Sequence, residues 1–356
     1  MMHPQSPNLW KWLLGVDVGG TKIATLLVDA QWQIREQLTA VTDLTSPQHT
    51  VESIIRAICA TLRRAKVGLG DLGAIGLGIP GQVDSSTGVV DLAVNLQWDT
   101  LPVGALLRDA LHVPCFLEND VRAAAWGLHR FDQARNAASL VYLSIGTGIS
   151  AGLVLQGQLY RGIHGMAGEV GHSSLDPQGP RCSCGGRGCL EMLASGPAVA
   201  RMAQAALAAG TPSRLAQRTA PVTCVQVYAA AAEGDEMARA ITARAGQALG
   251  RAIYNLALTY DVERIILGGG VSAAGAAFLE PVDAELNRLR AESQLARTLL
   301  TPDLVQPVPS GYNVGGWGGV ALAEKGLRQG LSLVVPPQHS ADGNSNGKEE
   351  IWACNR

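Results

Sequence analysis

The sequence predicts a duplicated α/β architecture built from two related halves. Three observations carry that expectation. One pattern occurs twice, roughly 128 positions apart: Leu14-Gly-Val-Asp-Val-Gly-Gly-Thr-Lys-Ile-Ala-Thr-Leu-Leu-Val and Tyr142-Leu-Ser-Ile-Gly-Thr-Gly-Ile-Ser-Ala-Gly-Leu-Val-Leu. Each reads as strand, tight glycine turn with a threonine, strand. Around these hairpins, short apolar runs alternate with Ala-rich stretches of helical spacing. Finally, 356 residues with 47% hydrophobic and 16% charged side chains suffice for two domains with sizeable cores.

Taken in order, residues 1–11 read as a disordered leader. Leu13–Val18 and Ile23–Asp29 are the strands of the first hairpin. A helix is expected over Val51–Lys66 and a strand over Ala74–Ile79, stopped by Pro80-Gly81. Val103–Leu111 reads as a helix, Cys115–Glu118 as a short strand, and Val121–Phe131 as an Ala-rich helix capped by Asn119 or Asp120. The second half opens with strands Leu140–Ile145 and Ala151–Leu155. Residues 158–190 are loop-rich, with eight glycines and three cysteines. Helices follow at Pro197–Ala209, Val225–Ala232, Glu236–Tyr260 and Ala276–Glu292, with a strand at Arg264–Leu267. Gly315–Gln329 reads as a glycine turn plus helix. The expected division is a small lobe over 12–130 completed by a C-terminal helix at 317–334, a large lobe over 131–316, and a disordered tail over 336–356.

Bulk properties exclude several classes. The formal net charge of −2 lacks the positive field that nucleic-acid binding needs. No apolar run is long enough for a transmembrane helix, and the first twelve residues hold no signal core, so a cytoplasmic protein is expected. Seven cysteines, four of them scattered, argue against a disulfide framework. The 42 glycines, about 12% against a usual ~7%, must serve backbone geometry.

Glycines in a strand–turn–strand let backbone N–H groups converge on an anion. Gly19, Gly20 and Thr21 with Lys22, and Gly146, Thr147 and Gly148, are therefore candidate phosphate loops, although plain hairpins also use glycine turns. Asp17 stands where a carboxylate could hold magnesium through water. Gly268, Gly269 and Gly270 follow an apolar strand and could border an adenosine or simply turn the chain into a helix. Asn119-Asp120 opens a helix, where Asp120 could accept a proton from a hydroxyl or merely cap. His172, Cys182, Cys184 and Cys189 offer one imidazole and three thiolates, a closed tetrahedral set suited to a structural zinc. Glu169 and Glu191 flank that set.

In these residues the chain resembles the ROK family of repressors, open reading frames and kinases, from about Leu13 to Leu327. The most specific match is Gly165-Met-Ala-Gly-Glu-Val-Gly-His172 followed by Cys182-x-Cys184-Gly-x-x-Gly-Cys189-Leu-Glu191. Gly15-Val-Asp17-Val-Gly-Gly-Thr-Lys22, Glu118-Asn-Asp120 and Leu267-Gly-Gly-Gly-Val271 follow in the family's order. The resemblance implies the actin-like ATPase (ribonuclease H-like) fold, with two lobes around a cleft, and an activity like the ATP-dependent glucokinases. It implies that Asp120 deprotonates the sugar 6-hydroxyl and that Gly81, Asn95, Asn119, Glu169, His172 and Glu191 bind the sugar. It further implies Mg-ATP as phosphoryl donor, one structural zinc and a homodimer. N-acetylmannosamine or N-acetylglucosamine kinase and a non-catalytic sugar sensor are the alternatives. A repressor would need a DNA-binding domain of roughly 60–80 residues ahead of the first loop, and only 13 residues precede Leu14. Arg122, Ser150 and Trp317 depart from the family pattern.

Overall fold

The computed structural model describes residues 10–131, 137–217 and 220–330. Residues 1–9 of the expected leader and the expected tail lie outside them. Trp10, assigned to the leader, is instead buried, with its ring 6.0 Å from that of Trp32. The chain divides into two compact units.

The first unit takes the described residues up to 131, Arg161–Met166, and 313–330. It begins β1 (Trp12–Val18), β2 (Lys22–Asp29), β3 (Ile34–Val41), α1 (Pro47–Ala65) and β4 (Leu72–Ile79). Three short strands follow, β5 (Gln82–Asp84), β6 (Val89–Ala93) and β7 (Trp98–Leu101), then α2 (Val103–Leu111), β8 (Cys115–Asn119) and α3 (Asp120–Phe131). The main sheet has the order β3-β2-β1-β4-β8. Its first three strands are antiparallel neighbours, and β4 and β8 add in parallel to β1. Leu13, Leu14, Val16 and Val18 are all fully buried, as expected of a strand covered on both faces. The first helix starts four residues before the expected Val51, because Ser46 caps it from His49 N–H and Pro47 fits its first turn.

The second unit takes 137–160 and 167–312. Its elements are β9 (Leu140–Ile145), β10 (Ile149–Leu155), β11 (Gln158–Tyr160), α4 (Leu190–Ala194), α5 (Gly196–Ala208), α6 (Cys224–Ala232) and α7 (Glu236–Tyr260). Then come β12 (Arg264–Gly268), α8 (Ala276–Glu292), α9 (Gln294–Leu299) and β13 (Val305–Pro307). The sheet order is β11-β10-β9-β12-β13, again an antiparallel set extended by two parallel strands. The repeated sequence pattern thus becomes a repeated topology, with β1–β2 matched by β9–β10. Helix α7 is capped by Asp235 and buries Ala238, Ala245, Leu249 and Ile253 into a core shared with β9 and β12.

The last element, α10 (Val314–Arg328), belongs to the first unit. Its glycines were expected to form a turn; they are helical instead. Asn313 caps the helix by accepting from Gly316 N–H at 2.9 Å. The glycines cost helix propensity, but they let α10 lie backbone-to-backbone on the sheet. A Cβ on Gly15 of β1 would run into the Gly316 carbonyl, and one on Gly76 of β4 into the Gly319 carbonyl. The helix spans 314–328 rather than the expected 317–334, of which 331–334 lie outside the described residues. No helix among the described residues is long and apolar enough to cross a membrane.

Candidate functional site

In the first unit, the turn after β1 closes with Gly19 N–H donating to the Lys22 carbonyl at 2.9 Å. Thr42, which the sequence did not single out, ties it down by donating to the Gly19 carbonyl at 2.6 Å. Thr21 and Lys22 are exposed, and Gly20 faces the Asn95 carbonyl closely enough that a Cβ would lie 2.9 Å from it. Asp17, at the end of β1, packs against Gly315 in the first turn of α10, where any side chain would collide with its carboxylate. Burial, then the charge of Asp120, push Asp17 up to about 7, with Lys22 opposing. A cation or a helix N-terminus beside that carboxylate favours its charged form.

Asn119 and Asp120 stand at the junction of β8 and α3. Asn119 is the cap: its Oδ1 accepts from Val121 and Arg122 N–H, both at 3.1 Å. Its amide donates to the Gly81 carbonyl at 3.1 Å. Asp120 Oδ1 accepts from Val121 N–H at 2.9 Å. The first unit therefore gathers Asp17 with Asp120, Gly20 with Asn95, and Asn119 with Gly81. Beneath them lies an ion-pair group the sequence did not flag. Glu118 is fully buried and accepts from Arg122 Nε at 2.8 Å, Arg161 Nε at 2.6 Å and the Asn119 N–H at 2.9 Å. Arg122, a departure from the family pattern, is a buried strut, with Nη1 donating to the Gly165 carbonyl at 2.6 Å.

In the second unit, Gly146 N–H donates to the Gly148 carbonyl at 2.9 Å, and the Gly146 carbonyl accepts from Gly196 N–H at the start of α5. Val271 N–H donates to Ile145, which brings the 268–270 glycines beside the 146–148 turn. Glu191 lies under that turn, with Oε2 accepting from Ile149 N–H at 3.1 Å; a Cβ on Gly148 would sit 2.6 Å from it. Ser150 donates to the Gly168 carbonyl at 3.3 Å, fastening the loop that carries Glu169 and His172.

The donor atoms of His172, Cys182, Cys184 and Cys189 all lie within 4.8 Å of one another. His172 Nδ1 is 3.6 Å from Cys182 Sγ, and Cys184 Sγ is 3.6 Å from Cys189 Sγ. A tetrahedral site with ~2.3 Å metal–sulfur bonds has edges of about 3.8 Å, so the set fits zinc. Paired bridges, Ser174 with Cys189 and Arg181 with Arg187, hold the loop in shape. The Cys184 backbone N–H and His172 draw the Cys182 thiol down to about 7, whereas burial first of all pushes Cys189 up to about 12. The outer imidazole nitrogen, Nε2, lies 4.0 Å from Glu169 Oε2.

The ROK family model matches residues 13–325. The chain belongs to the ROK family. A glucokinase from Halalkalibacterium halodurans is 33% identical over 277 residues, covering 76% of this chain and 84% of the relative. A ROK glucokinase from Streptomyces griseus, solved with glucose and AMPPNP, superposes with a TM-score of 0.73 at 31% identity, over 88% of this chain and all of the other. A ROK transcriptional regulator, homologous to the E. coli MLC protein, gives 0.79 at 28% identity over 92% of this chain and 81% of its own. The fold is accordingly the actin-like ATPase fold that the family resemblance implied.

Proposed function

We propose that this ROK chain is a sugar kinase, and more narrowly an ATP-dependent hexose kinase acting on the 6-hydroxyl of glucose. The observation that carries this is the acid–base set of the first unit: Asp120 at the mouth of α3, electrostatically linked to Asp17, beside a glycine turn bearing Lys22. The similarity to glucokinases supports the same reading.

In this reading, Asp120 accepts the proton of the sugar 6-hydroxyl as that oxygen forms its bond to the γ-phosphorus of ATP, and ADP leaves carrying the bonding pair. Asn119, held by its cap and by Gly81, orients the sugar together with Asn95. Glu169 and Glu191 accept from its other hydroxyls, and His172, with Nδ1 turned to the cysteines, donates Nε2–H to one of them. The turns at 19–22 and 146–148 receive phosphates through backbone N–H groups, and 268–270 borders the adenosine. Magnesium, held by Asp17 through water, would neutralise charge on the transferring phosphates. Zinc would be held by His172, Cys182, Cys184 and Cys189, where it fixes His172 and the neighbouring carboxylates in place. A sensor or repressor has no use for this proton-accepting set, so the regulator similarity is taken as one of fold. An N-acetylhexosamine is the competing substrate, decided by room beside C2 of the sugar.

The test is an ADP-release assay over glucose, other hexoses, N-acetylglucosamine and N-acetylmannosamine. Glucose is expected to give the highest kcat/KM. Asp120→Asn should fold and lose about 10²–10⁴-fold in kcat; near-normal turnover in that variant removes Asp120 from the role.

A further inference from the structure

The first unit contains a cavity of about 890 Å³, bordered by β5 and the turn after it, β8, the 161–165 segment and the end of α10. No residue assigned above to sugar or nucleotide lines it. Its walls carry two chemically distinct groups.

The cations are Arg161 and Lys325. Arg161, itself partly exposed, shares the single carboxylate of Glu118 with Arg122, so this group carries more positive than negative charge. Arg122 Nη2 is buried without a hydrogen-bond partner among the described residues. Lys325 adds a further cation. Its ammonium lies 4.5 Å from the centroid of the Trp126 ring and makes no hydrogen bond or salt bridge among the described residues. Burial pushes the Lys325 pKa down and the charge of Arg161 adds to this, with Glu118 opposing. An anion is the species that would relieve this excess.

The same walls also carry two carboxylates, Asp84 and Asp91, with Gln82 and Ser86. Asp84 Oδ1 is consumed by Ser86 and Thr87, and its Oδ2 accepts nothing from the described residues. Carboxylates repel an anion but accept strongly from hydroxyls. A ligand that satisfies both groups must carry an anion and hydroxyls.

We propose that this cavity binds a phosphate monoester of a small polyol, with the phosphate on Arg161 and Lys325 and the hydroxyls on Asp84 and Asp91. The volume accommodates such a ligand. The site is separate from the phosphotransfer residues, so its failure would leave the kinase reading untouched.

Titration calorimetry of the full chain with sorbitol 6-phosphate, sorbitol and inorganic phosphate tests this. Sorbitol 6-phosphate is expected to bind one per chain, inorganic phosphate more weakly, and sorbitol not measurably. Lys325→Gln should weaken both phosphate probes by about tenfold or more, and Lys325→Arg should retain binding. Asp84→Asn should weaken sorbitol 6-phosphate and spare inorganic phosphate. Circular dichroism and unchanged turnover report that the variants fold. Absence of sorbitol 6-phosphate binding overturns the site. So does equal affinity in Lys325→Gln, or loss of binding in Asp120→Asn instead.

Discussion

The two five-stranded sheets share strand order and strand sense, yet each unit is fastened differently. In the first, a glycine-faced helix lies directly on the sheet, and the hairpin turn is charged by Asp17 and Lys22. In the second, the hairpin turn carries no charge of its own, and a His–Cys knuckle with Glu191 stiffens the segment beside it. The repeat therefore specifies topology, while the chemistry comes from residues that its two copies do not share, Asp17 and Lys22 in the first, and from the His–Cys cluster outside it. Charge sits in the turn to which the proposed function gives phosphate and proton handling, and the metal-type cluster sits in a loop that otherwise has few core residues of its own.

The sharpest way to break this contrast is to remove the knuckle. Metal analysis is expected to find about one zinc per chain. Cys184→Ser leaves three donors and should abolish retention of zinc through chelation. It should also lower stability by something on the order of 3 kcal/mol or more, because metal binding and loop folding are one process. The five thiols at Cys115, Cys182, Cys184, Cys189 and Cys224 are free, so disulfide loss among them does not confuse the result. A zinc-free chain with wild-type stability and turnover would end the structural-metal reading.

The first unit breaks at its helix–sheet contact instead. Gly76→Ala pushes a methyl into the Gly319 carbonyl, a backbone atom that cannot swing aside. The expected loss is about 3 kcal/mol, read from denaturant unfolding. Gly70, with open space around its Cβ position, is the control, and Gly70→Ala should change stability little. Equal effects at both positions would show that α10 can lift away from the sheet.

Much of this contrast was legible in the sequence because each part has a local signature. The hairpins announce themselves by apolar runs around glycine turns, and the cysteine spacing identifies the knuckle. The elements α2, β9, α7 and α8 fall at their expected bounds, since their apolar periods are long and their ends are marked. Other parts had no local sign. Strand β3 is an edge with Arg35, Glu36 and Gln37, only half-buried at best, so its period of two is weak. The glycines of α10 read as a turn because helix propensity argues against them; their place is explained by close approaches through the fold, of Gly316 and Gly319 to Gly15 and Gly76, of Gly315 to Asp17 and of Gly318 to Ala123. Glu118 looked like a mere neighbour of Asn119, because its partners Arg122 and Arg161 meet it through the fold. Arg161 lies 43 positions away from it.

The smallest expected effect separates the two hairpins themselves. Asp17 is the penultimate residue of β1, as Ser144 is of β9. The folded chain raises Asp17 from 3.8 to about 7, so the folded state holds its proton more tightly than the unfolded state. Folding therefore gains nothing from an ionised Asp17: its unfavourable contribution is absent below about pH 4 and grows as the pH rises toward 7. Asp17→Asn should accordingly stabilise the chain on the order of 2 kcal/mol near pH 8, with water at this partly open site holding the gain below the full linkage value. Near pH 4 the same substitution should be close to neutral. Ser144→Ala, in the uncharged hairpin, should shift stability by less than about 1 kcal/mol and equally at both pH values. Thermal melts of both variants at the two pH values check this. A pH-independent shift for Asp17→Asn would show that the first turn carries no electrostatic strain, and that the two hairpins differ in sequence but not in energetics.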